Sequence, residues 1–427
     1  MNTTFLLNKT QLDDLVNTDR IIPIIIQTLK TLDSTLIEHS ERIAYIAYKL
    51  NCEVSPSVDQ NTLLLLSLFH DIGNLKNPLN ASHHSLSLKQ KQPIYSYLFL
   101  KYLSPIHEYA DIILSQHLSY DKLTTLDVNH KSYIDFIYFA NELDKLLFHD
   151  TLTDQEIDLY FKTNSHQFNP TLLEAFMTLN KQSHLTTELR TYSSQLIYPI
   201  LKELNLSTED SIDFLKMFLY SFDFKSTQTV THTITTVIIA LSLATLSEVD
   251  ESHHLSIYLG ALLHDIGKIA IPDAILESTG RLTEDEMVIM RKHVVYTKKI
   301  VSHLVNSEIA NIASRHHERL DGSGYPCGLT EGELTFNEQI LACADVLSAL
   351  ISQRSYKKPF PKTQVLDILN ELKQKNHLNP KICELIALHY DEIIAVTFKE
   401  SAPIIAKYHM IQTEYLRLTK HQTKKGL

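Results

Sequence analysis

Apolar residues recur at intervals of three and four positions along most of this chain. The pattern is clear at 236–246 and 365–372, whereas segments in which apolar and polar residues alternate are rare. Spacing of three and four places apolar side chains on one face of a helix, and alternation is typical of a strand. We therefore predict an all-α fold.

The composition supports helices joined by polar loops. Only 9 glycines and 13 prolines occur in 427 residues, which leaves few of the tight turns that a β-sandwich or a barrel needs. Apolar residues make up 44% and charged residues 21% of the chain, as in ordinary globular proteins. At roughly 150 residues per domain, the length predicts two or three domains.

The charge and the cysteines restrict the environment in which the protein acts. Acidic residues number 50 against 39 basic residues, a net charge of −11, which argues against a nucleic-acid polymer as partner. No secretory signal is visible, and the apolar runs are shorter than the ~20 residues of a membrane span. The four cysteines lack C-x-x-C spacing and are expected to be reduced thiols. We therefore expect a cytoplasmic protein with no membrane insertion.

The chain contains an internal duplication. Residues 69–73 (FHDIG) recur as 263–267 (LHDIG), and an earlier histidine precedes each His-Asp pair, His39 by 31 residues and His232 by 32. Three further matches follow in the same order: 116–117 with 316–317, 140–141 with 344–345, and 168–170 with 378–380. Self-similarity of this kind indicates repeated structural units. We predict one helical domain at 20–185, a second at 205–400 and a C-terminal tail at 401–427.

The second copy contains a cluster of candidate metal ligands. Five are histidines and two are aspartates: His232, His264, Asp265, His293, His316, His317 and Asp345. Seven donors are too many for one tetrahedral zinc ion, which takes four ligands, but they suit two octahedral ions that share a carboxylate. Imidazole and carboxylate ligands without a thiolate favour iron or manganese. The cluster therefore predicts two divalent metal ions, Fe or Mn, that promote displacement at phosphorus.

Local sequence also predicts where the His-Asp pair lies. His264 and Asp265 end an apolar run that begins at Leu255, and Gly267 follows them. Such a run followed by glycine is typical of a helix C-terminus with glycine near the C′ position. The pair is therefore expected at the end of a helix.

Two motifs in the second copy resemble those of a known family. His264-Asp265-Ile266-Gly267-Lys268 resembles the signature of HD-domain metal phosphohydrolases, and residues 316–326 (HHERLDGSGYP) resemble the HD-GYP signature. The resemblance covers about 205–400. It implies two tandem HD-type helical domains, of which the second carries the HD-GYP extension. It also implies hydrolysis of a bacterial cyclic dinucleotide, chiefly cyclic di-GMP, to the linear dinucleotide or GMP.

The resemblance assigns the metal ligands to two sets. One ion is expected on His232, His264, Asp265 and Asp345. The second ion is expected on His293, His316 and His317, with Asp265 as the bridge. Three-metal members of the family carry a glutamate where this chain has Gln228, so two metals are expected.

The resemblance further implies the residues that act on the substrate. His264, Asp265 and Lys268 are the expected catalytic residues, and Lys268, Arg354 and Lys357 match positions that contact substrate phosphates. The expected nucleophile is a hydroxide that bridges the metals, and the leaving group is the ribose 3′ oxygen. The acid that protonates this oxygen is not identified, although Asp321 is a candidate.

Other functions remain open at this point. Some members of the family prefer 3′,3′-cyclic GMP-AMP, and a degenerate first domain before an active one resembles an arrangement among them. A catalytically idle effector that binds a cyclic dinucleotide is an alternative of another class. Hydrolysis of mononucleotides is a third, against which the complete Gly-Tyr-Pro segment argues.

The first copy is degenerate. It retains His39, His70, Asp71 and His117. Its other counterparts of the second copy are amides: Gln92 for His293, Gln116 for His316, Asn141 for Asp345 and Asn74 for Lys268. We therefore expect no competent two-metal centre there, and a single weakly held ion is left open. The first domain is expected to be structural or regulatory, through a homodimer, a signalling-protein partner or a ligand that it senses.

Overall fold

A computed structural model provides the structure of the protein. It describes residues 21–30, 33–54, 57–76, 92–204, 206–223, 227–276, 278, 280–303, 305–352 and 360–425. Among these residues no β-strand occurs, and one isolated bridge joins Asp321 to Thr330. The all-α prediction is therefore confirmed.

The described residues contain α-helices and short 3₁₀ helices. The α-helices, numbered in chain order, are α1 (Ile21–Lys30), α2 (Ser34–Glu53), α3 (Gln60–Phe69), α4 (Gln92–Leu103), α5 (Asp111–Ser115), α6 (Tyr120–Thr125), α7 (Lys131–Phe148), α8 (Asp154–Thr163), α9 (Pro170–Ser183), α10 (Leu185–Arg190), α11 (Tyr198–Lys202), α12 (Thr208–Asp223), α13 (Thr227–Leu246), α14 (Glu251–Leu263), α15 (Asp273–Leu276), α16 (Glu284–Arg291), α17 (His293–Val301), α18 (Ser307–Ser314), α19 (Phe336–Ile351), α20 (Lys362–Gln374), α21 (Pro380–Leu388) and α22 (Tyr390–Lys425). Short 3₁₀ helices cover Ile72–Lys76, His107–Tyr109, Ser165–Gln167, Ile266–Ala270 and Glu331–Glu333.

The described residues form two compact units. The N-terminal unit contains Ile22–Ser221 and the last part of α22, from Ile411 onward, and the C-terminal unit contains Phe222–Met410. The predicted tail at 401–427 is helical as far as Lys425. It groups with the N-terminal unit because the Tyr415 ring stacks on Tyr95 at 3.9 Å and Glu414 accepts hydrogen bonds from Lys101 and Tyr102. The domain limits 20–185 and 205–400 stay predictions.

The N-terminal unit is built around α2, which packs against α3 and α7. The side chain of Asp33 caps α2 by accepting a hydrogen bond from the Leu36 amide at 2.9 Å. A cap of this kind satisfies an amide that has no partner within the helix. Helix α3 then runs directly into the 3₁₀ helix Ile72–Lys76, against which α4 packs.

The C-terminal unit repeats this arrangement. Helix α13 packs against α14 and α19, and α17 packs against the 3₁₀ helix Ile266–Ala270 that follows α14. Helix α14 ends at Leu263, immediately before the His-Asp pair, as predicted. Gly267 lies within the 3₁₀ helix and not at a left-handed C′ position. A Cβ at Gly267 would lie 1.9 Å from the carbonyl oxygen of His293, so the close approach of α17 requires glycine.

Candidate metal centre

The C-terminal unit brings all seven predicted metal-binding side chains together. His232 lies in α13 and Asp345 in α19, while His293 is the first residue of α17. The adjacent pairs follow helix ends, His264-Asp265 after α14 and His316-His317 after α18. Six of the seven are buried and His317 is partly exposed. The roles of these side chains as metal ligands stay proposals.

One set of donors surrounds a single oxygen of Asp265. Its Oδ2 lies 3.2 Å from Nε2 of His264 and 3.8 Å from Nε2 of His232. Asp345 completes this set, with Oδ1 at 3.0 Å from His232 Nε2 and 4.0 Å from His264 Nε2. These spacings suit four donors around one octahedral ion.

The other oxygen of Asp265 faces a second set. Its Oδ1 lies 3.5 Å from Nε2 of His293 and 4.0 Å from Nε2 of His316. His317 belongs to the same group, whose ligand atoms all lie within 4.8 Å of one another. Asp265 therefore offers one oxygen to each set, which is the geometry of a bridging carboxylate.

The hydrogen bonds of three histidines leave a lone pair on each ligand nitrogen. In His264, His293 and His316, Nδ1 lies 2.7 to 2.8 Å from the carbonyl oxygen three residues earlier. Because a carbonyl only accepts, Nδ1 carries the proton and Nε2 of the neutral ring does not. The Nε2 atoms of His293 and His316 nevertheless lie 3.4 Å apart, and Nε2 of His264 is buried without a hydrogen-bond partner. Cations satisfy such converging lone pairs, so the residues present fit divalent metals.

Burial keeps most of these imidazoles neutral. It lowers the pKa of His232, His293 and His316, and it lowers the pKa of His317 to about 3. Burial alone would raise the pKa of Asp265, but the neighbouring His264 and Lys268 outweigh it and hold the pKa well below the usual range. Neutral imidazoles and ionised carboxylates are the forms that bind metals.

Lys268 lies beside the centre. Its Nζ is 2.5 Å from Oδ2 of Asp265, and its side chain is partly exposed. Lys268 therefore places a positive charge between the Asp265 carboxylate and solvent. Arg354 and Lys357, the other predicted phosphate contacts, lie outside the described residues, as does the side chain of Gln228.

Asp321 is poorly suited to donate a proton. Its Oδ1 accepts hydrogen bonds from the backbone amide and the hydroxyl of Ser323, at 3.0 and 2.7 Å. These bonds stabilise the ionised carboxylate and lower the pKa of Asp321. At neutral pH this side chain therefore carries no proton.

The structure adds supporting residues that the sequence did not reveal. The buried carboxylate of Glu318 accepts hydrogen bonds from the amides of Cys327 and Leu329, at 2.7 and 3.0 Å. These bonds hold the loop whose Tyr325 ring stacks on His317, with 4.8 Å between the centroids. Glu318 directly follows the His-His pair, and that adjacency is the signal that could have found it.

A second support holds His232. The hydroxyl of Ser348 lies 3.0 Å from His232 Nδ1 and 2.6 Å from the hydroxyl of Thr235. Ser348 is one helical turn after Asp345, so both side chains face the same neighbour. Contacts of this type orient a ligand imidazole and tune its basicity.

The N-terminal unit keeps a smaller cluster at the corresponding place. Ligand atoms of His39, His70 and Asp71 lie within 4.8 Å of one another. The Asn141 side chain instead donates to the carbonyl of Ile137 at 2.9 Å, and His117 is exposed. The side chain of Gln92 lies outside the described residues. Of the four donors that the first copy retains, three group together among the described residues, whereas all seven lie together in the C-terminal unit.

Comparison with known proteins identifies both units. Residues 36–137 match one HD domain family, and residues 221–382 match a second HD domain family. The crystal structure of a cyclic GMP-AMP-specific phosphodiesterase of Vibrio cholerae has a similar fold, with a TM-score of 0.52 and 18% sequence identity over 88% of this chain and 98% of that one. The protein is thus a tandem arrangement of two HD domains.

Curated relatives refine this assignment. The 3'3'-cGAMP-specific phosphodiesterase 1 of Vibrio cholerae is 26% identical over 398 residues, 86% of this chain and 90% of the relative. The 3'3'-cGAMP-specific phosphodiesterase 2 of the same organism is 33% identical over 250 residues, and the chain spans only 44% of its length. A cyclic di-GMP phosphodiesterase of Thermotoga maritima is 42% identical over 148 residues, 40% of its length. Both matched segments are thus HD domains, and the HD-GYP assignment and the degeneracy of the N-terminal copy stay proposals.

The described part of the chain also bears on membrane insertion. None of its helices combines the length and the apolar character that crossing a bilayer requires.

Proposed function

We propose that this protein is a metal-dependent phosphodiesterase that hydrolyses a bacterial cyclic dinucleotide at the C-terminal unit. The observation that carries the proposal is the position of Asp265, whose two oxygens face two separate sets of ligand nitrogens. A site with this geometry suits two divalent ions, for which iron and manganese are the best candidates. Relatives named as cyclic-dinucleotide phosphodiesterases support the substrate class.

Different residues of the site have different roles in the proposed reaction. Two divalent ions held by the seven clustered side chains would supply Lewis-acid stabilisation of the phosphoryl oxygens and would lower the pKa of water. Asp265 lies between the two ligand sets and faces each with one oxygen. The backbone carbonyls that accept hydrogen bonds from Nδ1 of His264, His293 and His316 fix the direction of each Nε2. Lys268 adds positive charge beside Asp265, where charge on the phosphoryl oxygens is stabilised in the transition state.

Positively charged side chains near the site offset the repulsion between an anionic substrate and this acidic protein. The chain has a net charge of −11, which repels an anionic dinucleotide at long range. Lys268, and Arg291 over the face of Tyr325 at 5.2 Å, place local cations around the metal centre. Such local cations allow an acidic protein to bind a phosphodiester.

Two substrates are supported by different observations. Cyclic di-GMP is the leading candidate from the HD-GYP motif, and the Thermotoga maritima relative named for it is the most identical of the three over its aligned residues. The relative that aligns across both units carries the name of 3′,3′-cyclic GMP-AMP, which supports that substrate as the second candidate.

A substrate panel tests the proposal. Protein reconstituted with Mn²⁺ or Fe²⁺ is incubated separately with cyclic di-GMP, cyclic di-AMP and 3′,3′-cyclic GMP-AMP, and the products are separated by chromatography. We expect hydrolysis of one of the two guanine-containing substrates and its loss in the variant His264→Ala/Asp265→Ala. The matched variant His70→Ala/Asp71→Ala, in the N-terminal unit, should retain hydrolysis.

Two results would contradict the proposal. Absence of turnover of all three substrates with either metal, together with tight dinucleotide binding, would favour the idle effector. Turnover that survives His264→Ala/Asp265→Ala would place the reaction elsewhere.

A further inference from the structure

We propose that the N-terminal unit binds one divalent transition-metal ion on His39, His70 and Asp71, at a site separate from the metal pair of the C-terminal unit. This inference does not depend on the proposed hydrolysis. It is carried by the geometry of three side chains and by the partners that orient them.

His70 presents a buried nitrogen that lacks a hydrogen-bond partner. Its Nδ1 lies 2.7 Å from the carbonyl oxygen of Ser67, so Nδ1 carries the proton and Nε2 carries a lone pair. This Nε2 is buried without a hydrogen bond, and the nearest oxygen of Asp71 is 3.6 Å away. A buried acceptor without a partner destabilises the fold, and an ion bound between nitrogen and carboxylate would satisfy both.

His39 is oriented by a carboxylate on its other nitrogen. Oδ2 of Asp144 lies 2.7 Å from His39 Nδ1, which leaves Nε2 as the ligand nitrogen. Arg42 holds the same carboxylate through hydrogen bonds at 2.5 and 3.2 Å. A carboxylate behind a histidine is the common support of metal-binding imidazoles, because it fixes the ring and raises its basicity.

The two units share the geometry of this half of the site. The rings of His39 and His70 lie 5.3 Å apart at 60°, and those of His232 and His264 lie 5.6 Å apart at 69°. In both units the second histidine has the same Nδ1 contact to the carbonyl three residues earlier, at 2.7 Å. The part that can hold one ion is therefore preserved.

The carboxylates differ between the units in a way that fits a single ion. The C-terminal unit has Asp345 facing the histidines and Ser348 one turn later, behind His232. The N-terminal unit has Asn141 at the first position and Asp144 at the second, behind His39. Two imidazoles and one carboxylate, with open positions for water, form a donor set that zinc and other divalent transition metals accept.

Metal counting on the full chain tests this site. The variant His264→Ala/Asp265→Ala/His293→Ala/His316→Ala removes donors from both ligand sets of the C-terminal unit. Equilibrium dialysis against buffered Zn²⁺ followed by elemental analysis then gives the ions bound per chain. We expect about one ion, and a large loss of it after the further change His70→Ala/Asp71→Ala. His107→Ala, an exposed histidine in the same unit, serves as the matched control and should leave the ion bound.

A milder variant guards against a folding defect. Asp144→Asn leaves the three ligands in place and should weaken Zn²⁺ binding by about 10–100-fold, the usual cost of removing such a supporting carboxylate. Absorption of Co²⁺ in place of Zn²⁺ should report the same loss. Failure of the His264→Ala/Asp265→Ala/His293→Ala/His316→Ala protein to bind an ion, or binding that is indifferent to His70→Ala/Asp71→Ala, would overturn the proposal. Hydrolysis is not measured in either arm, so this result is separable from the proposed function.

Discussion

The two HD domains of this chain share a local framework around the His-Asp pair but differ in the side chains that surround it. Both carry a His-Asp pair after a helix that packs in the same place, and both fix the histidine by a backbone carbonyl at 2.7 Å. The glycine two residues after the aspartate donates to a hydroxyl in both, Ser96 in one and Thr297 in the other. The contacts that hold the helices together are thus retained, whereas the side chains that complete a second ion site are not.

The comparison shows that the two clusters differ by a few side chains of similar size. Asp345 in one unit is replaced by Asn141 in the other, and buried His316 by buried Gln116. An amide is close in size to an imidazole or a carboxylate but carries neither its charge nor the same ligand strength. The fold therefore tolerates the replacement of candidate metal ligands by amides, although an amide is a weaker ligand.

The largest expected effect comes from copying the N-terminal amides into the C-terminal unit. In His293→Gln/His316→Gln/Asp345→Asn, total bound metal should fall from three ions, counting the one proposed for the N-terminal unit, to at most two. Hydrolysis should fall by about 10³-fold or more, since loss of one transition-state stabiliser costs about 10²–10³. Elemental analysis and product chromatography measure the two effects. Asp71→Asn is the control, and an equal loss in it would show that the N-terminal site also supports the reaction.

A smaller effect, on stability, is expected from changing Arg42 and Asp144, which form an ion pair next to His39. Arg42→Thr leaves the buried Asp144 without its guanidinium and should destabilise the N-terminal unit by about 3 kcal/mol. Adding Asp144→Ser recreates the Thr235–Ser348 pair of the other unit and should recover part of this loss. Denaturant unfolding of both variants and of Asp144→Ser provides the double-mutant cycle. Additive effects of the two changes would contradict the coupling.

A third prediction concerns a support that has no counterpart in the first copy of the sequence. Glu318→Gln removes the charged acceptor of two backbone amides and should destabilise the protein by about 1–3 kcal/mol. Hydrolysis should fall as well, because Tyr325 is then no longer held against His317. Glu331→Gln changes an exposed carboxylate in the adjoining 3₁₀ helix and should shift stability by under about 0.5 kcal/mol. Equal effects of the two variants would argue against a special role for Glu318.

The smallest effect is a pH dependence of the metal-free protein. Burial lowers the folded pKa of His232, His293 and His316, so below the unfolded pKa of about 6.5 the unfolded chain binds protons that the folded chain does not. This contribution to stability is present above about pH 6.5 and is lost as the pH falls. Thermal unfolding in a chelator between pH 7.5 and 5 should show a falling Tm.

The variant His316→Gln sharpens the pH prediction. It installs the residue found in the N-terminal copy and should flatten the slope of Tm against pH, whereas His107→Gln, at an exposed position, is the control. An unchanged slope in His316→Gln would show that other groups control the acid transition.

Much of this architecture follows from local sequence. The spacing of apolar residues predicted helices, and the recurrence of the His-Asp segment predicted two related domains. The seven donors could be named because motif residues retain their spacing when the fold is retained. The helix end before His264 was also predictable, although Gly267 serves the close approach of α17 and not a left-handed turn.

The tertiary structure determined which of those side chains face one another and which residues support them. That Asp265 turns one oxygen to each ligand set, that Asp144 supports His39 from 105 positions away, and that Tyr415 packs on Tyr95 are not visible in any local pattern. Local periodicity reports only which face of a helix is apolar, whereas these contacts depend on which helices meet and on the direction of each side chain. The sequence by itself therefore determined the helical fold, the duplication and the donors. Only the packing of distant helices decided which of these side chains face each oxygen of Asp265.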